Sequence, residues 1–384
     1  ATATATASGA HVGGYRGRPQ PRAAPPPWRA PPPWTEPPPP PPNACLQLVG
    51  TVGQSFRSCN YLKFADLSGA NLVRANLDGA NLVGATLDGA DLSHASLRAA
   101  DCSGASFANA RMDSAMLHHA ILDHAYFGGA HLGRALFFGT SVGGANFAAA
   151  DLRGSLWQSV TATVKTATPR SNVARPPPAG TGTGTGAGAG TSGVPTHILL
   201  GGRIEQGARF DGADLQKAAI EESKMAASSF RNAEMDGVKI SRTDLRDADF
   251  TGAAFGALSS LEMTDLSRSV LAGVVIDEAT MINVKLLKAN LRAAQARSMV
   301  LVSSDLSTST CDAADFSRSD LTQSKFDGAS LRRALLRDAK LASASFIGAD
   351  CEQANFLGAT DIDTADFTDL VGRAIGLPSQ QLPG

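Results

Sequence analysis

The stretch Gly69–Leu92 reads GANLVRANLDGANLVGATLDGADL. Alanine returns at Ala70, Ala75, Ala80, Ala85 and Ala90, and leucine at Leu72, Leu77, Leu82, Leu87 and Leu92. Neither regular secondary structure accepts a period of five. Five residues carry a helical side chain about 140° round the axis, which would spread the leucines over the whole surface. In a straight strand five steps reverse the face each time. A coil of four short sides fits instead. If each side uses five residues and then turns a corner, every Ala and every Leu points to the axis. Such a coil closes after about twenty residues and stacks on the next at the roughly 4.8 Å spacing of paired strands.

Outward from this stretch the register holds from Ala65 to Trp157. The large inward slot passes through Phe107, Phe127, Phe137 and Phe147 to Leu152 and Trp157, and the small slot is Ala except at Thr140 and Ser155. Residues 158–207 contain RPPPAGTGTGTGAGAGTSG and lose the period, which reads as a linker and an irregular entry coil. A second array begins at Ala208, with Phe210, Leu215, Ile220, Met225 and Phe230 in the large slot. One residue is inserted around Ala257 and another before Phe367, and the array ends near residue 369. Ser, Thr and Val often replace Ala here, so this array reads as the more degenerate one. The expected architecture is an all-β solenoid of two β-helices, 65–157 and 208–369. Residues 45–64 form an entry segment or cap, and residues 370–384 close the last coil with a turn or short helix.

The repeat as written, in ADLSG, ANLVR and ANLDG, resembles the A(D/N)LXX motif of the pentapeptide-repeat family. The resemblance covers 65–157 and 208–369. It implies a right-handed quadrilateral β-helix with the Ala and Leu/Phe positions inward. Members of that family are common in cyanobacteria and chloroplasts. Together with the Ala/Gly/Pro-biased tails, this sets the expected location as the chloroplast, associated with the thylakoid.

A twenty-residue coil makes specific stacks. Phe107, Phe127 and Phe147 should form one aromatic ladder, and Phe326, Phe346 and Phe367 another. Cys102, Cys311 and Cys351 occupy the large slot as small buried hydrophobes. Cys311 and Cys351 stand two coils apart, about 9–10 Å, too far for a disulfide. Cys45 and Cys59 lie outside the arrays, and an oxidising compartment leaves a disulfide between them open. Open coil ends expose unpaired backbone, so the two arrays either cap each other or bind partners at their ends.

The chain has 384 residues, a formal net charge of -1, and only three Tyr and three Trp. No apolar run reaches the ~18 residues of a membrane span. The chain opens on Ala1, which suits either a processed protein or an incomplete chain. Residues 1–44 are low in complexity, with PPPWRAPPPWTEPPPPPP between residues 25 and 42. Such tracts favour polyproline II. Trp28 and Trp34 mark this arm as a candidate anchor on a partner.

No enzyme signature is present. GTGTGTGAGAG lacks the flanking strand, the Lys-Ser/Thr pair and the helix of a phosphate loop. No cofactor or metal is implied. Five of seven histidines fall between His94 and His131, and polar surface contacts account for them better than a metal set. The departures from the repeat say more. Met116, Leu136 and Leu156 are spaced by twenty in an outward column that holds Asn76 and Ser96 lower down. His118 and Phe138 occupy the neighbouring column, with Ile121 and Tyr126 round the corner. A second apolar group is Ile282, Val300 and Val302, flanked by Val270, Val275 and Leu287. Both are candidate contact patches.

Residues 65–157 carry eight Asp and five Arg, and residues 208–369 carry 25 acids and 18 bases. Acids alternate with bases, including Arg332, Arg333 and Arg337. The basic residues lack interleaved aromatics, which argues against direct nucleic-acid binding. The sequence therefore points to a non-catalytic scaffold or linker that bridges protein subunits of a larger assembly, at the periphery of a photosynthetic membrane complex. The rival reading is a regulator that mimics DNA to bind a topoisomerase or another DNA-binding enzyme, which needs a continuous acidic face.

Overall fold

A computed structural model describes residues 52–56, 62–162 and 207–377. The side chains at Ala and Leu/Phe positions are buried, except near the ends where Ala65, Ala359 and Ala365 are half-buried, and successive coils are joined by parallel bridges. Each coil has four faces. We label them by their first regular outward residue: face A from Asp66, face B from Asn71, face C from Asn76 and face D from Asn81. Face A rises through Thr86, Ser106, Tyr126 and Asn146, then Arg209, Ser229 and Asp249, and ends at Val371. Its thirteen steps, at about 4.8 Å each, make a column about 60 Å tall.

The motif has a local cause. Backbone N–H groups on each side bond to the coil above, as in Leu72 N to Asp91 O at 2.7 Å, and Ala70 N closes its corner onto Leu67 O at 3.0 Å. The N–H two residues after the outward Asp or Asn is capped by that side chain, as in Val73 N to Asn71 Oδ1 at 3.2 Å and Ser93 N to Asp91 Oδ1 at 3.0 Å. Short acceptors that bond their own backbone two residues on suit such turns. The corner residue that follows sits in the left-handed region, with φ 57° at Arg74 and 59° at His94.

The arrays do not form two β-helices; they form one. Asn146 pairs with Arg209, Asp151 with Asp214, Leu156 with Ala219 and Thr161 with Lys224. Residues 146 and 209 are sixty-three positions apart, yet they occupy adjacent coils. The segment expected as an interdomain linker is therefore an excursion from one corner, between Ala162 on face D and Gly207 at the foot of face A. Residues 158–162 belong to the coil, with Gln158 inside a strand. The physical reason is that an open coil end is unpaired backbone over an apolar cross-section, and each array ends in the surface the other needs. The chain returns tightly: a Cβ on Gly207 would stand 2.4 Å from Ser228 N.

Both inserted residues are accommodated at corners. Lys239 pairs with Ser260, a step of twenty-one, and Leu258 at that corner projects outward with 74% exposure. The second lies in the 3-10 turn Ile362–Thr364, after which Ser345 pairs with Asp366. The last described residues extend the solenoid: Val371 pairs with Asp350 and Ile375 with Asn355.

The expected ladders are present. Phe107–Phe127 and Phe127–Phe147 stack at 4.8 and 4.6 Å, and Phe326–Phe346 and Phe346–Phe367 at 5.0 and 5.1 Å. The first ladder runs on across the excursion, through Phe147–Phe210 at 5.1 Å to Phe230 and Phe250. Cys102, Cys311 and Cys351 are free and buried, and burial pushes the Cys311 and Cys351 thiols up to about 12. Cys45 and Cys59 lie outside the described residues.

Candidate functional site

Face C is where the repeat changes character. Seven three-residue strands pair in parallel and in sequence order here: β1 Leu136–Phe138, β2 Leu156–Gln158, β3 Ala219–Glu221, β4 Lys239–Ser241, β5 Ser260–Glu262, β6 Thr280–Ile282 and β7 Val300–Val302. In each strand the central residue points inward and the flanking two point outward. The polar cap described above is absent from the lower strands, because Met116, Leu136 and Leu156 carry no side-chain oxygen.

The structure brings Met116, Leu136 and Leu156 into one outward stack through bridged neighbours. Phe138 and Leu156 are 39% and 38% exposed. His118 lies beside them with its ring 6.0 Å from Phe138, and His119 meets the same ring edge-on at 5.8 Å. Partial burial, with Arg98 and His119 nearby, holds His118 below its ordinary value. Ile282, Val300 and Val302 stand on the same face at β6 and β7, half-buried by their neighbours. The two apolar groups are thus the ends of one sheet face. Leu156 and Val300 are five strand steps apart, about 24 Å.

Other residues fall elsewhere. Ile121 is on face D and Tyr126 on face A, opposite face C. Val270 is on face A and Val275 on face B. Trp28 and Trp34 lie outside the described residues.

The histidines have a structural reason that the five-residue phase contains but residue counting misses. His94, His119 and His124 all sit at corners with φ of 56–60°, a region in which His is enriched among non-glycine residues. The His119 and His124 rings lean over the next coil at Gly139 and Gly144. There a Cβ would meet their Nδ1 atoms at 2.5 and 2.7 Å. His131 stands 4.0 Å from Asp151. Among the described residues no group of three or more His, Cys, Asp or Glu is placed to hold a metal ion.

A groove of about 590 Å³ on face B is lined by His94, Asp113, Arg134, Asp151, Arg153 and Lys217 among others. Arg153 holds Asp151 at 2.5 Å and reaches Asp214 of the next coil at 3.5 Å. The hydrogen bond from Arg153 holds Asp151 below the usual carboxylate range, while burial, with Asp151 nearby, raises Asp214. An ionised, arginine-bound Asp151 is poorly suited to proton transfer near neutral pH.

Elsewhere on the surface several acids are paired with arginines, as in Arg231–Asp249, Arg246–Asp244, Arg297–Asp277 and Arg332–Asp350. Face D carries a mixed ladder: Lys224, Asp244, Asp265, Lys285, Asp305 and Lys325. Among the described residues no helix is long and apolar enough to cross a membrane.

The chain matches the model of pentapeptide repeats in eight copies, over residues 61–93, 90–129, 208–255, 300–338, 314–350 and 334–369. Residues 130–162 and 256–299 fall between the matches yet keep the same coil pairing. No curated protein matches the chain. Among solved structures it is similar to HetL, a pentapeptide repeat protein involved in heterocyst differentiation regulation in the cyanobacterium Nostoc sp. strain PCC 7120. The identity is 19%, over 73% of this chain and 86% of that one, with a TM-score of 0.23. It is similar to a pentapeptide repeat protein of the Arabidopsis thaliana thylakoid lumen at 32% identity, over 24% and 66%, TM-score 0.24. It is also similar to full-length QnrB1, a plasmid-mediated fluoroquinolone resistance protein, at 15% identity, over 69% and 92%, TM-score 0.26. With the five-residue register holding through the described coils apart from two single-residue insertions, the chain belongs to the pentapeptide-repeat family.

Proposed function

We propose that this protein is a non-catalytic scaffold that bridges or stabilises protein subunits of a larger assembly, with face C as its docking surface. The carrying observation is the outward stack of Met116, Leu136 and Leu156, where the repeat gives up its polar cap for hydrocarbon that is half-buried at Met116 and Leu136 and exposed at Leu156. Contiguous apolar surface of this kind marks interaction sites. The compartment we assign is the thylakoid, on the composition of the tails and the family's occurrence. DNA mimicry is disfavoured by the Asp–Arg pairs and by the mixed Lys and Asp ladder on face D, which interrupt a continuous acidic face.

The test is affinity capture from source-cell extract with the full chain as bait. Leu136→Asp is expected to lose the retained subunits while its far-UV circular dichroism stays that of the parent. Asn76→Asp, on the same face but outside the stack, should retain them. Equal retention by Leu136→Asp would remove face C from the function.

A further inference from the structure

The apolar stack on face C is bordered by cations. The corner between faces B and C carries Arg74, His94, Ser114, Arg134, Gly154 and Lys217, and no acid. Each stands two residues ahead of its outward neighbour on face C, so Ser114, Arg134 and Gly154 run beside Met116, Leu136 and Leu156. Below the stack the Arg98 guanidinium reaches Met116 Sδ at 3.2 Å. Among the described residues Arg74, Arg98, Arg134 and Lys217 form no ion pair. The acids along this edge are engaged or turned away. Asp78 accepts from Ser96 Oγ and from Arg98 N. On face B, Asp151 is held by Arg153, and Asp113 Oδ1 lies 2.9 Å from where a Cβ on Gly133 would stand. Above the stack, Glu222 is held by Arg242. We infer that this part of face C takes an acidic amphipathic helix of a partner protein, its apolar stripe on Met116, Leu136 and Leu156 and its carboxylates on Arg98, Arg134 and Lys217. The inference rests on face C being a docking surface and names the chemistry of the occupant.

Spacing selects a helix. Met116, Leu136 and Leu156 stand one coil apart, so the stack spans two steps, about 10 Å. Residues on one face of an extended strand recur roughly every 6.7 Å and are out of step by the third position. Helical residues at i, i+3 and i+7 rise by about 4.5 and 10.5 Å, which keeps three anchors on three coils, as in other apolar helix docking. A helix lying along the stack offers one flank to Arg134 and Lys217. Its other flank meets Phe138 with His118 and His119. Arg98 and Lys217 are four coil steps apart, about 19 Å, which is about thirteen residues of helix. A basic helix would set its cations against an unpaired cationic edge, so charge decides the sign of the partner. A contact this small is weak and transient.

The experiment titrates the purified full chain against two fluorescent peptides by anisotropy, up to high-micromolar concentration. Both are about four turns long and held helical by a hydrocarbon staple on the far face. Both carry leucines at three- and four-residue intervals; one has Glu at the flanking positions and the other Lys. The Glu peptide should bind about tenfold more tightly than the Lys peptide at low salt, and the gap should close as salt rises. R134E/K217E should reverse the order of the two peptides, which a misfolded chain would not do. Leu136→Asp should lose both. Binding of neither peptide, or equal binding of the two, overturns the inference. Phosphatidylglycerol vesicles test the other anionic surface: pelleting of the chain that R134E/K217E abolishes would give this edge to a membrane and overturn it as well. Capture from extract separates this inference from the scaffold reading. Subunits lost by Leu136→Asp but kept by R134E/K217E would leave the scaffold standing and remove the acidic helix. Charge-selective peptide binding with no subunit captured would do the reverse.

Discussion

Ser319 shows what the second array gains by departing from alanine. At its neighbouring corner the chain does not close on itself, and the Ser319 hydroxyl fills the gap. It donates to Ala296 O at 2.7 Å and accepts from Met299 N at 3.1 Å. Ser324 does the same between Leu301 O and Ser304 N. What reads as degeneration is a side chain that completes an opened turn from one coil away. Ser319→Ala leaves a buried N–H and C=O without that partner, which should cost about 1–3 kcal/mol. Ser317→Ala, outward and two residues away, should stay within about 0.5 kcal/mol. Urea unfolding measures both. Arg153 makes a charge prediction at the same scale. It lowers Asp151 in the folded state, so its stabilisation is present above the unfolded value of about 3.9 and is lost as pH falls through the lower folded value. Arg153→Gln should therefore be less stable than the parent at neutral pH, and the difference should fade as pH falls through the lowered folded value of Asp151. A difference that persists in acid would assign Arg153's role to packing.

At the scale of elements, the aromatic ladder carries the evidence for one solenoid. Phe147 and Phe210 stack at 5.1 Å, and Trp157 packs against both edge-on at 5.4 Å. Phe210→Ala removes a fully buried ring at the seam, worth about 3–5 kcal/mol. One solenoid predicts that the main unfolding transition shifts as a whole; separate arrays would confine the loss to one of two transitions. Calorimetry distinguishes them. The ladders within each array were legible in the sequence, because Phe107, Phe127 and Phe147 announce the coil length by their spacing. The Phe147–Phe210 stack was not, because the excursion breaks the count that would reveal it. The apolar stack on face C was legible from the same count, as departures from Asn76 and Ser96. That it shares a face with Val300 was not. Only knowing that the coils run on unbroken adds the steps from Leu156 through Ala219 to Val300.

For the whole molecule, continuity across residues 162 and 207 is the claim with the most structural consequence. A regular corner uses two residues between inward positions, as Val73 and Arg74 do between Leu72 and Ala75. Deleting residues 163–205 leaves Gln206 and Gly207 between Ala162 and Ala208, and restores the step of twenty from Asn146 to Arg209. Backbone bonds already hold the coils on either side, from Phe147 N to Arg209 O at 2.7 Å through Ala162 N to Lys224 O at 2.7 Å. The deletion therefore asks for no new contact. Loop-closure entropy grows by about 0.6 kcal/mol for each doubling of length, so shortening this corner should stabilise the fold by on the order of 2 kcal/mol. The deleted chain should keep its far-UV spectrum, melt higher and show the same rod length by solution scattering. Two independent β-helices would respond in the opposite way. Forced onto a two-residue tether they would collide or separate, and the chain would aggregate or melt lower.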